Sequence, residues 1–239
     1  MIIDSHMHMG SVSGASINSI SGEYLVSIMD MFNIDYGFVT SLSSSLKHNK
    51  IVMGEVLRFP NRFIGFYWVN PMRNSILEEV SKVVGKGFMG IKLRPETDGY
   101  SLFNISMLQP VLDFAMKMEL IVYVHCSGFG VSHANAFNTI CDLYPDLKVI
   151  IGHMAQGSLE AIKAAVKHDN ILLETSTYHY EKFLLYAIKT LGSNRILFGS
   201  DFPYSNVSLE ISKIIQLNIP MEDKYKILGG NASLLLPSH

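Results

Sequence analysis

Short apolar runs rich in β-branched and aromatic residues alternate with longer amphipathic stretches along the whole chain, and this alternation predicts its elements. The short runs predict strands at Ile2–His8, Tyr36–Leu42, Phe63–Val69, Phe88–Leu93, Leu120–Cys126, Lys148–His153, Ile171–Thr175 and Ile196–Ser200. Apolar residues at helical spacing predict helices at Glu23–Met31, Ile76–Val84, Met107–Met118 and Leu159–Val166, with others through Ser208–Leu217 and Ala232–Leu236. Asn74 and Ser158 are the expected N-caps of two of these. Strands that alternate with helices imply a parallel sheet, and eight is the number that closes a (β/α)8 barrel; a doubly wound open sheet is the alternative. At 239 residues the chain has the length of one such domain, residues 1–239, and no linker or repeat divides it.

In a barrel, chemistry gathers at the C-terminal ends of the strands. His6 and His8 close the first predicted strand, and because alternate strand residues share a face, both imidazoles aim into one space. A neutral imidazole is the commonest protein metal ligand, so the pair is half of a metal site. Lys92 and Arg94 close the fourth strand, His125 the fifth and His153 the sixth, and Asp201 follows the eighth. Singly these are ordinary: a barrel histidine is more often structural, and an Asp before Phe-Pro is usually a turn residue. Polar groups at five strand ends, each after an apolar run, point together to a site.

The pattern resembles the amidohydrolase superfamily and, within it, the amidohydrolase-2 family of metal-dependent barrel enzymes. The matching segments are Asp4-x-His6-x-His8, Gly90-Ile91-Lys92-Leu93, His125, His153, Gly199-Ser200-Asp201-Phe202-Pro203 and the closing Gly230-Asn231-Ala232. They cover essentially the whole chain in the family's order, and the chain's shortness suggests trimmed loops and an open site. The resemblance implies that His6, His8, His125 and Asp201 hold a divalent ion and that His153 lies beside its water or the substrate. Three imidazoles and a carboxylate suit zinc, with manganese or cobalt admissible, and such an ion brings a bound water to a pKa of roughly 7. Asp201 then exchanges protons and His153 orients or polarises the substrate. Some superfamily members carboxylate a strand-four lysine to bridge two metals; the closer family is mononuclear, so one ion is expected and Lys92 is read with Arg94 as a binder of an anionic substrate group.

The leading expectation is a metal-dependent hydrolase of a small ester, lactone or amide. A non-oxidative decarboxylase of a small carboxylic acid, aromatic acids included, is the alternative, and a non-catalytic metal-binding barrel the third.

Composition narrows the partners. Nineteen Lys plus Arg against 21 Asp plus Glu give a formal net charge of −2, with no electrostatic case for nucleic acid or an anionic membrane. No apolar run approaches the ~20 residues of a membrane span; Leu120 to Val124 is broken at once by His125. Asp4, His6 and His8 fall where a signal peptide needs its apolar stretch, and Cys126 and Cys141 are too few for a disulfide framework, so a reducing, cytoplasmic setting is expected. The Asn-x-Ser matches at Asn104, Asn206 and Asn231 carry no meaning without secretion. A homodimer is plausible on the short loops and apolar balance.

Gly85-Lys86-Gly87-Phe88-Met89-Gly90 fits G-x-G-x-x-G, but a helix precedes it and a strand follows, the reverse of a dinucleotide site. Cys126 faces away from His125. Glu174 and Thr175 end the seventh strand, with Tyr178 and His179 in the next loop; they line the pocket or serve structure. His48, His133, His168 and His239 are read as exposed or structural.

Overall fold

The computed structural model describes residues 1–10 and 19–236. In its first half β1 (Ile3–Met9), α1 (Gly22–Met31), β2 (Tyr36–Ser41), α2 (Leu46–Arg58), β3 (Phe63–Trp68), α3 (Ile76–Ser81) and β4 (Phe88–Leu93) follow in turn. Then come α4 (Pro95–Asp98), α5 (Ile105–Lys117), β5 (Ile121–Val124), α6 (Ala136–Leu143), β6 (Val149–Ile151), α7 (Leu159–Lys167), β7 (Ile171–Glu174) and α8 (Glu181–Leu191). The chain ends with β8 (Ile196–Leu197), α9 (Val207–Gln216), α10 (Met221–Tyr225) and α11 (Asn231–Ser233).

Each strand pairs in parallel with the next, in the order β1 to β8. The seam between β8 and β1 is closed by single bonds: Ser5 N donates to Phe198 O (2.9 Å), Asp201 N to His6 O (2.8 Å) and His8 N to Phe202 O (2.8 Å). The fold is therefore a single (β/α)8 barrel, as expected.

Strand alternation sorts the core into two layers. Ile3, Phe38, Phe66, Ile121, Tyr123, Ile150 and Leu197 fill the barrel interior. Their neighbours Val39, Tyr67, Val122, Val124, Val149 and Ile151 face outward into the layer that buries the helices. Cys126 belongs to that outer layer, as expected, with Sγ on Ser132 O at 3.0 Å.

The sequence pattern overran the strands. β5, β6 and β8 stop before His125, His153 and Asp201, because the chain leaves strand geometry just where the polar groups begin. Five helices went unpredicted, among them the short α4 and α10. α2 buries only Asn49, Val52 and Val56, too thin a stripe to stand out, and α6 is short, whereas α8 buries Phe183, Leu184, Ala187 and Ile188 at plain helical spacing.

Caps differ in detail. Ser158 is the N-cap of α7 but makes no side-chain bond, and Ser75, not Asn74, precedes α3. Asn104 and Asn206 cap α5 and α9 through their side chains, so two of the three Asn-x-Ser matches are N-caps. Gly85 (φ +75°) and Gly87 (φ +82°) form the turn into β4, as expected. Among the described residues no helix is long and apolar enough to cross a membrane.

Candidate metal centre

The site begins at a bulge. β1 pairs with β2 in one register up to Asp4 and in another from Met7, with one extra residue in between. His6 N and Ser200 N both donate to Asp4 Oδ1, at 3.0 and 2.9 Å, so one buried carboxylate ties the bulge to the end of β8. Burial pushes the Asp4 pKa up to about 7.

Beyond the bulge, His6 and His8 meet Asp201, whose backbone is left-handed at φ +56°. Asp201 Oδ1 lies 3.0 Å from His8 Nε2 and 3.4 Å from His6 Nε2. All three side chains are buried. The structure thus assembles three of the four expected ligands into one group with donor atoms within 4.8 Å of one another, and His6 also belongs to a second such group with His153 and Glu174.

Hydrogen bonds assign the protons. His8 Nδ1 is 3.1 Å from Ser41 O, which only accepts, so Nδ1 carries the hydrogen. Burial holds His8 below its ordinary pKa, so the ring is neutral and its Nε2 lone pair faces Asp201 Oδ1. Two acceptors 3.0 Å apart repel unless a cation lies between them. His6 shows the same design: Ser176 Oγ, which donates to Glu174 Oε2, sits 3.1 Å from His6 Nδ1, so that nitrogen donates and Nε2 presents its lone pair. The donor set fits a divalent ion.

His153 stands at the start of an unusual segment. His153, Met154, Ala155 and Gln156 all have φ between +48° and +57°, a full turn of left-handed helix without glycine, followed by Gly157 at +82°. Such backbone costs about 1–2 kcal/mol per residue and persists only where the surroundings over-determine it. His153 N donates to Glu174 Oε2 (3.2 Å), and Ala155 O lies against Gly128, where a Cβ would come within 2.2 Å of it. The His153 ring has Nδ1 3.3 Å from Ser176 O and Nε2 2.9 Å from His125 Nδ1. His125, partly exposed, is in neither tight group; it joins the site through His153. Burial lowers the pKa of both rings.

Glu174 is the residue whose weight the sequence understated. It is fully buried and accepts from Tyr123 Oη (2.6 Å), Ser176 Oγ (2.9 Å), His153 N and Ser176 N, with His6 Nδ1 3.3 Å away. A lone acid ending the apolar run Ile171-Leu172-Leu173 was the available signal.

The two cations part company. Lys92 is buried inside the barrel, its Nζ 3.0 Å from His6 Nε2 and 3.4 Å from the Tyr123 ring centre. Burial, with Arg94 nearby, drives its pKa well down. Arg94 is partly buried over the Trp68 ring at 5.0 Å, with a buried Nε lacking any partner and no ion pair among the described residues. Of the remaining histidines, His48 bonds Ser45 Oγ (2.6 Å), His133 accepts from Asn135 N, and His168 is the buried C-cap residue of α7; His239 lies outside the described residues.

Fold and site define a (β/α)8 barrel with a histidine–carboxylate metal centre at the ends of its strands. A family model described as amidohydrolase matches residues 37–237, and the chain belongs to that family. A γ-resorcylate decarboxylase of Rhizobium radiobacter is 23% identical over 242 residues, 78% of this chain and 74% of that protein. Another, of Polaromonas sp., is 31% identical over 115 residues; the match spans 39% of this chain and only 35% of that protein.

Among solved structures, a dihydroxybenzoic acid decarboxylase of Polaromonas sp. with bound manganese and the inhibitor 2-nitroresorcinol superposes with a TM-score of 0.77 at 19% identity, over 98% of this chain and 96% of that one. A probable 2-pyrone-4,6-dicarboxylic acid hydrolase of Acinetobacter baumannii reaches the same TM-score at 16% identity, over 98% of both chains. At these identities the likeness carries the fold alone, and the fold hosts both chemistries.

The sequence relatives overturn the expected hydrolase and favour the decarboxylase alternative. The physical reason for the miss is that the strand-end motifs report ligands, which both reactions share. A divalent ion stands, but zinc in particular does not; the decarboxylase structure carries manganese.

Proposed function

We propose that the chain is a metal-dependent, non-oxidative decarboxylase of a small aromatic hydroxy acid. The observation that carries this reading is the match to a γ-resorcylate decarboxylase over 78% of the chain. His6, His8 and Asp201 would hold the ion, with His125 as the fourth ligand; manganese is the first candidate and zinc the second. When bound, the ion supplies Lewis-acid stabilisation of anionic substrate oxygens.

Around it, the chain's own groups divide the work. The unpaired guanidinium of Arg94, stacked on Trp68, suits a carboxylate or phenolate of the substrate. Lys92 acts from beneath, its amine against His6. Carbon dioxide loss breaks the bond between ring carbon and carboxyl carbon, leaves the electron pair on the ring carbon and consumes one proton there. The Asp201 carboxyl, whose Oδ1 faces His8 and His6, delivers it. With the ion held beside it the carboxyl would rest ionised between turnovers, so each proton would be resupplied from solvent. His153, hydrogen-bonded to the partly exposed His125, polarises the substrate and links the site to water.

The test is carbon dioxide release from a panel of hydroxybenzoic acids, with metal content by mass spectrometry and a chelator control. Release that disappears with the metal and in His8→Ala, whose circular dichroism stays native, is the expected result. No release from any aromatic acid by metal-loaded protein refutes the reading. The free, buried thiols of Cys126 and Cys141 suit a reducing compartment such as the cytoplasm, which fractionation checks; light scattering checks the expected homodimer.

A further inference from the structure

Glu210 is fully buried on α9, yet no candidate ligand touches it. Its Oε1 accepts from Thr177 N (3.1 Å) and Ser205 Oγ (2.8 Å), and His179 Nε2 is 3.4 Å away. Its other oxygen receives Lys213 Nζ from the next turn of α9, and the same ammonium donates to Thr175 O at 2.6 Å. One buried ion pair therefore grips the loop after β7 at three residues and the loop after β8 at one.

The loop after β7 is what holds two of the site's imidazoles, those of His6 and His153. Ser176 Oγ lies 3.1 Å from His6 Nδ1 and 3.0 Å from His153 Nδ1, and Thr177 Oγ1 is 3.0 Å from His153 Nδ1. Thr177 sits at φ +58°, a conformation that a β-branched residue resists. Left alone the loop would relax out of it, and the bond from Thr177 N to Glu210 opposes that relaxation. A buried ion pair is a poor way to gain stability alone, since apolar residues of similar volume do as well.

We infer that Glu210, with Lys213, is a positioning residue that fixes the Nδ1 partners of His6 and His153 through the loop after β7, and so the direction in which both rings present Nε2. Only the kinetic arm of its test rests on the proposed decarboxylase. His8 supplies an internal control, because its Nδ1 is held by Ser41 O on β2.

The experiment is nitrogen-15 histidine NMR on the full chain loaded with a diamagnetic metal, comparing the wild type with Glu210→Gln. The expected result is that the Nδ1–H signals of His6 and His153 shift or broaden while that of His8 stays, and that kcat on the aromatic acid falls about tenfold with little change in KM, the range for lost outer partners of metal ligands. Unchanged signals from His6 and His153 overturn the inference whatever the kinetics, and so does a disturbance of all three histidines alike. If Glu210→Gln fails to fold, Glu210→Gln with Lys213→Met, which leaves no unpaired ammonium, is read the same way. Should neither fold, Ser205→Ala must still move the same two signals. Absence of decarboxylation with the selective NMR change intact would refute the proposed reaction and leave Glu210's role standing.

Discussion

Replacing Glu174 by Gln changes almost no volume and tests whether this carboxylate organises the site. Four donors converge on it in the wild type: Tyr123 Oη, Ser176 Oγ, Ser176 N and His153 N. Three of them meet at Oε2 and only Ser176 N at Oε1, so an amide that keeps its oxygen in the Oε2 place turns its NH2 against Ser176 N: at least one of the four bonds becomes donor against donor, and the other three lose the charge. Hydrogen bonds to a buried charge are worth about 1.5–3 kcal/mol each, which puts the loss at about 1.5–3 kcal/mol for the broken bond alone. Against a domain stability of about 5–15 kcal/mol that is a large fraction.

Urea unfolding at neutral pH, read as a shift in midpoint at constant slope, measures it. Tyr123→Phe in both backgrounds closes a double-mutant cycle, and the coupling expected is about 1–2 kcal/mol. A loss under about 1 kcal/mol, or strict additivity with Tyr123→Phe, would show that the carboxylate is not the hub its hydrogen bonds describe. Because His6 Nδ1 is 3.3 Å from Glu174, metal affinity should fall as well, by about 10–100-fold.

Stability of the metal-free protein should fall as pH drops from 6.5 toward 4. Burial holds His6, His8, His125 and His153 below their ordinary pKa, so over this window the unfolded chain takes up protons that the folded one refuses, at about 1.4 kcal/mol per proton per pH unit. Asp4, pushed up to about 7, opposes this by one proton between pH 7 and 4; urea midpoints that stay flat or rise on acidification would contradict the balance. Gly128→Ala should cost more than Gly130→Ala and should also reduce turnover. Both positions are left-handed, at +81° and +60°, for a shared penalty of about 1–3 kcal/mol, but only at 128 does the new Cβ meet the backbone of the His153 turn; equal costs in parallel melts would exclude that contact. Arg94→Lys keeps the charge and loses the planar fork, and steady-state kinetics should give a KM about tenfold higher, one charged hydrogen bond's worth; an unchanged KM would remove Arg94 from substrate binding.

The barrel could be read from the chain because its signals are periodic. Interior and exterior strand positions alternate as the physics of a closed parallel sheet demands, and each apolar run ends where a polar side chain must meet the mouth. The same logic named His6, His8, His125, His153 and Asp201 as candidates, and the structure places them near one another at the strand ends. It missed what breaks the period. The bulge between Asp4 and Met7 leaves no mark in composition. The left-handed turn at His153–Gln156 leaves no mark either, since nothing in Met154-Ala155-Gln156 demands positive φ. Glu210 did leave a trace: it shares the buried face of α9 with Val207 and Ile214, three and four residues either side, and an acid in that stripe has to find partners.

The reaction was illegible for a different reason. A metal-centred hydrolase and a metal-centred decarboxylase ask the same thing of the strand ends: neutral imidazoles with Nδ1 fixed by a partner behind them, and a carboxylate facing their lone pairs. What separates the two is whether a proton is delivered to a ring carbon or water to a carbonyl, and that depends on how substrate sits against Arg94, Trp68 and the loops beyond the strands. Those contacts carry no period and no fixed spacing. A single chain therefore points to candidate ligands and withholds its chemistry, and the match to a decarboxylase over 78% of the chain is what favours one reaction over the other.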